Sequence, residues 1–180
     1  MASSSLAICQ FVQHTFSTEI GWCRVVFEQN RLQRLWFGYR KQADLNKITR
    51  ETEAIAIDDS DLSEEQRNVV ELVTNYCAGH FVDFRDIDLN LDNHTLFQRK
   101  VIKACRKIPF GETKSYGELA DQAGSPKAAR AVGSTMAKNI FPLIVPCHRV
   151  VGSNGKLHGF SAPDGLNMKA RLLKMEHEAV

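Results

Sequence analysis

The sequence predicts a mixed α/β (α+β) fold in two parts. Residues 1–93 read as a small strand-rich domain, and residues 94–180 as a mostly helical domain with a helix-turn-helix. Three observations predict this. Apolar, β-prone runs separated by turn residues crowd the first part, whereas helix-capping signatures recur in the second. The charge also changes sign along the chain: residues 1–96 carry 9 Lys+Arg against 15 Asp+Glu, and residues 97–180 carry 14 against 6, net −6 and +8. A length of 180 residues suits one large domain or two small ones sharing a core.

In the first part, Cys23 to Phe27 and Leu32 to Phe37 form two strand candidates joined by a hairpin at Glu28-Gln29-Asn30-Arg31. Ala54 to Ile57 is a short further strand. Ser63 with Gln66 has capping-box spacing and opens a helix. Val69, Val70, Val73, Tyr76 and Cys77 form its buried stripe, and Gly79 stops it. Val82 to Leu89 is the last strand expected there. No residue of this half stands out for chemistry, so it is expected to act as scaffold.

The second part opens with another capping box, Thr95 with Gln98. Its helix shows Phe97, Val101, Ile102, Cys105 and Ile108 on one face and ends at Pro109-Phe110-Gly111. Ser115 with Glu118 opens a short helix from Tyr116 to Ala123. Ser125 as N-cap and Pro126 at the first helical position then start a helix running to about Lys138. Two short helices across a Gly-Ser-Pro turn make a helix-turn-helix candidate. Its second helix is thin, because Ala128, Ala129, Ala131, Gly133, Ser134 and Ala137 dominate it, and Arg130 stands out from that surface. Either the helix packs tightly with Arg130 solvated, or it lies in a DNA groove with Arg130 directed into the duplex. The basic half favours a polyanion, since phosphates attract Lys and Arg and release counterions on binding.

Composition also excludes some classes. No apolar run approaches the roughly 20 residues of a spanning helix; the stretch Ile140 to Pro146 is short and broken by proline. The first ten residues, MASSSLAICQ, lack a basic flank and a long apolar core, so a cytoplasmic or nuclear protein is expected, with no membrane association. Cys9, Cys23, Cys77, Cys105 and Cys147 are odd in number and nowhere spaced as CxxC, which argues for a reducing compartment. Cys9, Cys23, His14 and His80 match no zinc spacing, so no metal is expected. Cys105, among helical apolar neighbours, reads as core.

Chemistry concentrates in Asn139 to Val150, NIFPLIVPCHRV. Pro146 fixes the backbone direction before Cys147, and His148 beside it is a candidate activator, since the thiolate is the nucleophile. Taken alone, a Cys-His pair leaves a buried structural cysteine as an open alternative.

The longer string is more specific. It includes Phe110-Gly111-Glu112, then Ser115-Tyr116, then Pro126-Lys127-Ala128-Ala129-Arg130-Ala131-Val132-Gly133. Asn139, Pro146-Cys147-His148-Arg149-Val150 and a last helix with Lys169, Leu172-Leu173 and Glu176 complete it. From about Phe97 to Glu176 the chain closely resembles the O6-alkylguanine-DNA alkyltransferases; the first half resembles them only in style, as a small strand-rich domain of the ribonuclease-H-like kind.

The resemblance implies direct, single-use transfer of an alkyl group from O6 of guanine, or O4 of thymine, to Cys147 after base flipping. It implies minor-groove binding to double-stranded DNA through Ser115, Tyr116, Lys127, Ala128, Ala129, Arg130 and Gly133, with Arg130 filling the vacated stack. His148, through a water, would take the thiol proton; Glu176 would orient it, Tyr116 would help protonate the departing guanine, and Asn139 would tie the helices to the active-site loop. Cys147, Val150, Phe160 and Ser161 would line the base pocket. No cofactor and a monomer are expected. Phe160 stands where many relatives have tyrosine, and Ser161-Ala162-Pro163-Asp164-Gly165 is longer than a glycine-rich loop, which leaves lesion range open. A lesion-binding protein that transfers nothing, a Cys-His hydrolase with repeated turnover, and a transcription factor are the rival readings; the last would need polar base-reading side chains where this helix has alanines.

Overall fold

A computed structural model of the chain describes residues 11–50 and 53–179. Cys9 lies outside them. Three strands open the fold: β1 (Phe11–Thr18), β2 (Gly21–Glu28) and β3 (Arg31–Tyr39). Helix α1 (Gln42–Ile48), strand β4 (Ile55–Ala56) and helix α2 (Glu64–Cys77) follow. The second half contains α3 (Leu96–Cys105), β5 (Lys114–Ser115), α4 (Tyr116–Gln122), α5 (Ala129–Ala137), β6 (Val150–Val151) and α6 (Gly165–Glu178).

The first sheet has the order β3-β2-β1-β4, with β1 to β3 an antiparallel meander and β4 parallel to β1. The expected hairpin turns at Gln29-Asn30, where Gln29 takes a left-handed φ of 55°. Strand β1 had no forecast from the sequence. It joins β2 through Glu19-Ile20 into Gly21, whose φ of 137° and 2.7 Å from a Cβ position to the Tyr39 carbonyl admit only glycine. Period-2 alternation sends Cys23, Val25 and Phe27 of β2 into the main core, where Val69, Val70, Val73 and Tyr76 of α2 are also buried. Arg24, on the opposite face, donates to Thr49 and Asn46, so α1 is tied beneath the sheet by a cation.

The expected strand at Val82 to Leu89 does not form. Val82, Phe84, Ile87 and Leu89 are buried, as the pattern implied, yet only Leu89 makes a bridge, to Leu32. The carbonyls of Phe84, Arg85 and Ile87 instead accept from the Arg106 guanidinium at 2.7–3.0 Å. One arginine stands in for a neighbouring strand.

Capping boxes form at Ser63/Gln66, Thr95/Gln98 and Ser115/Glu118. Helix α3 stops at Cys105, ahead of the expected Pro109. Helix α5 departs further from expectation. Ser125 does not cap it and Pro126 is not in it: the Ala128 amide donates to the Ser125 carbonyl (3.0 Å), closing a β-turn with Lys127 at φ 79°. Proline at the second place and a left-handed residue at the third is a type II arrangement, and the helix begins only at Ala129. One apolar core runs through both halves, from Ile20 to Leu172. Among the described residues no helix is long and apolar enough to cross a membrane.

Candidate active site

Pro146, with φ −76° and ψ 65°, makes an inverse γ-turn: the Cys147 amide donates to the Val145 carbonyl at 2.7 Å. One turn of 3₁₀ helix then carries Cys147, His148 and Arg149, all buried. Val150 and Val151 leave it as β6 and pair in parallel with Lys114 and Ser115 of β5. Tyr116 begins α4 directly after that pairing, so a short ladder links the cysteine turn to the first helix of the helix-turn-helix.

Asn139 follows α5. Its Nδ2 donates to the Val145 carbonyl (2.9 Å) and to Cys147 Sγ (3.1 Å), and its Oδ1 accepts from the Phe141 amide (3.0 Å). Both ends of the amide are engaged, so its direction is set by the network. Burial pushes the Cys147 thiol up, and the Asn139 amide and the Lys169 charge oppose that rise.

Behind the cysteine lies a closed polar cluster. His148 Nε2 is 2.7 Å from Glu176 Oε1 and 3.0 Å from the Tyr76 hydroxyl. The Tyr76 hydroxyl donates to Glu176 Oε1 (2.5 Å), Arg149 Nε donates to Oε2 (2.9 Å), and the Gly111 amide donates to Oε2 (3.1 Å). Burial would raise the Glu176 pKa, but its bonds and charge contacts with His148 and Arg149 outweigh that and hold it at about 2. Burial pushes His148 down, against Glu176. Near neutral pH the consistent state is an ionised Glu176 accepting from a neutral His148 protonated on Nε2, and the charge contact between them comes in only once acid protonates the imidazole. Nδ1 is then the free base; it is buried and has no partner among the described residues.

The remaining expected residues fall into distinct places. Tyr116, half-buried, lines a hollow of about 410 Å³ with Ala129, Arg130, Gly133, Ala137 and His158, and Arg130 is exposed. Burial and the nearby Cys147 and Cys105 raise the Tyr116 hydroxyl, keeping it protonated. Ser115 spends its hydroxyl on capping α4. Lys127 is exposed in the type II turn, with Ala128 half-buried at the start of α5. The structure does not bring Phe160 and Ser161 into that hollow: Phe160 sets its edge on Phe37 (6.3 Å), and Ser161 borders a groove against β3. The Val150 carbonyl accepts from the Lys169 ammonium at 2.6 Å. Among the described residues no cluster of three or more His, Cys, Asp or Glu could hold a metal, and Cys23, Cys77, Cys105 and Cys147 are free thiols.

Two side chains of the cluster, Tyr76 and Arg149, and Lys169 on the Val150 carbonyl received no role from the sequence. Tyr76 belongs to the half expected to be scaffold alone; its signal was a tyrosine in a fully buried stripe, where a hydroxyl needs a partner. Arg149 and Lys169 are buried cations; Arg149 closes the apolar run from Phe141 to Cys147, whereas Lys169 stands among Asn167, Arg171 and Lys174 on α6, where a charge carries no signal.

Residues 96–178 match the family described as 6-O-methylguanine DNA methyltransferase, DNA binding domain. A constitutive methylated-DNA–protein-cysteine methyltransferase of Bacillus subtilis is 36% identical over 162 residues, 90% of this chain and 93% of the relative. The chain belongs to that methyltransferase family. A methyltransferase of the same description from Mycobacterium tuberculosis is 50% identical over 107 residues, 59% of this chain, and the match spans 62% of the length of that relative. The structure of Mycobacterium tuberculosis OGT in complex with DNA shares the fold, with a TM-score of 0.74 and 36% identity over 93% of this chain and 94% of that one. The strand-rich first half and helical second half are thus the architecture of methyltransferases of this family.

Proposed function

We propose that the chain repairs alkylated double-stranded DNA by moving the alkyl group from O6 of guanine to Cys147, once per molecule. The observation that carries this reading is the state of His148. Its Nε2 is fixed by an ionised Glu176, its Nδ1 is buried and unpartnered, and its neighbour Cys147 is held by Asn139.

The steps balance without any cofactor. The thiol proton passes to His148 Nδ1 through a water, leaving an imidazolium beside the Glu176 carboxylate. The Cys147 thiolate attacks the alkyl carbon; the new S–C bond forms as the C–O6 bond breaks, and the electron pair stays on the base. Tyr116 supplies a proton to the departing guanine and recovers one from the imidazolium side, so the thiol proton ends on the base. The thioether has no reductive or hydrolytic exit within the site.

Access requires flipping, because the reacting group sits inside the duplex and Cys147 is only 5% exposed. The small side chains of α5 let its backbone approach the groove, and Arg130 occupies the gap in the stack. Phe160 and Ser161 would join the pocket wall by movement of their loop. Residues 94–180 then carry DNA binding and acceptance, and residues 1–93 support them and lend Tyr76 to the cluster.

The test is transfer from a duplex labelled on the alkyl group of O6-methylguanine, in excess over protein. One label per molecule, abolished in Cys147→Ser, is the expected result. Repeated turnover would indicate a hydrolase, and retention of DNA without label a lesion-binding protein; either overturns the reading.

A further inference from the structure

The first half of the chain is acidic overall, yet one stretch reverses that sign. Residues 31–50 carry Arg31, Arg34, Arg40, Lys41, Lys47 and Arg50 against Asp44 alone. Arg31 is paired with Asp88 and Asp92, and Lys47 with Asp44. Arg34, Arg40, Lys41 and Arg50 make no ion pair among the described residues.

Arg34 sits where this charge meets the second half. It projects from β3, the edge strand of the sheet, and lines a groove of about 370 Å³ with Trp36, Tyr39, Lys138, Pro142 and Ser161. Its guanidinium lies over the Trp36 ring, 4.5 Å from the centroid. Stacking holds the fork in place with no carboxylate to neutralise it, so a phosphate would meet a cation whose side-chain entropy is already reduced. Ring and cation already cover each other, which favours a phosphate over a stacked base as the occupant.

The groove is continuous with the lesion face. Ala137, at the end of α5, lines both this groove and the hollow of Tyr116, Arg130 and His158. Ser161 follows directly on the loop that carries His158 and Gly159. A strand lying along α5 and running past its C-terminal end therefore arrives at Lys138 and then Arg34.

We infer that this groove binds the sugar–phosphate backbone flanking the lesion, with Arg34 and Lys138 as phosphate contacts, so that the first half of the chain is part of the DNA-binding surface. The inference rests on the DNA-repair reading above.

Fluorescence anisotropy with a duplex carrying O6-methylguanine tests it across about 50 to 200 mM salt, the range in which counterion release is read most directly. Each lost phosphate contact lowers the slope of log K against log salt by about 0.9, so Arg34→Gln/Lys138→Gln should lower it by about 1.8 and weaken binding on the order of tenfold near 0.15 M salt. Lys174→Gln, which removes a cation paired with Glu178 on α6, should leave the slope alone. An unchanged slope in the double variant, or an equal fall in Lys174→Gln, overturns the inference. So does a salt-independent dimer, seen by sedimentation, that the double variant dissolves, because the occupant would then be a second copy. Should Arg34→Gln unfold, Lys138→Gln alone, at an exposed helix end, must still lower the slope by about 0.9. Label transfer by the unmodified protein on the same duplex is scored separately. A slope that falls as expected with no transfer sinks the repair chemistry and leaves the groove standing.

Discussion

Replacing Tyr76 with phenylalanine removes one oxygen and keeps the ring, whose tilted contact with Phe84 and edge contact with Phe110 (centroids at 5.6 and 6.1 Å) are untouched. What is lost is a 2.5 Å bond to Glu176 Oε1 and a 3.0 Å contact with His148 Nε2. A bond to an ionised group contributes about 1.5–3 kcal/mol. Glu176 keeps His148, Arg149 and the Gly111 amide, so it is not left bare, and the lower end applies. We expect a loss of about 1.5 kcal/mol, which for a chain of this size lowers Tm by roughly 3–6 °C. The same hydroxyl helps fix the imidazole, so single-turnover transfer should slow by about three- to tenfold, since a factor of ten needs only about 1.4 kcal/mol in the transition state. Differential scanning calorimetry and quenched-flow label transfer measure the two effects. A Tyr76→Phe protein matching the parent in both Tm and rate would refute the claim that the first half of the chain reaches into the reacting centre.

Asn139→Ala strips the amide that serves the Val145 carbonyl, the Phe141 amide and Cys147 Sγ; a cost of about 2–3 kcal/mol and a slower thiol reaction with iodoacetamide are expected, read by urea unfolding and alkylation kinetics. Lys127→Gly relaxes a left-handed non-glycine residue and should raise stability by up to about 1 kcal/mol, checked by Tm. Acid stability follows from Glu176, held at about 2 in the folded state against about 4.3 unfolded. A depressed carboxylate stabilises fully above its unfolded value, so about 3 kcal/mol should be lost as pH falls from about 4.5 toward 2. His148, pushed down by burial, adds a loss of the same sign that starts below its unfolded value of about 6.5. Guanidinium midpoints between about pH 7 and 3 test both, and a flat profile contradicts the ionised cluster.

Features set by neighbouring residues could be read from sequence. The capping boxes at Ser63, Thr95 and Ser115 are complete within four residues, and each forms. Strand β1 mixes Gln13, His14 and Thr15 with its apolar residues, and α1 buries only Leu45, so neither had a period to reveal it. Pro126 suits a first helical turn and the second place of a β-turn equally well, and the backbone of Lys127 decided between them. The same division holds at the site. Asn139, Cys147 and His148 fall within one short string, whereas Tyr76 and Glu176 meet across 100 positions, a closeness only tertiary packing creates.

The pairing of β5 with β6 involves just Lys114 with Val150 and Ser115 with Val151. That small latch sets the distance between the Cys147 turn and the aromatic that begins α4, while the chain from Gly152 to Asp164 leaves it as an excursion that the Lys169 ammonium ties back through the Val150 and His158 carbonyls. Under the proposed transfer, reactivity and selectivity would thereby be written in different stretches of sequence. On that reading, substitutions or length changes in the excursion beyond His158 would retune which alkyl groups enter while the latch holds the sulfur, so a lineage facing new alkylating agents could alter its range and keep its chemistry.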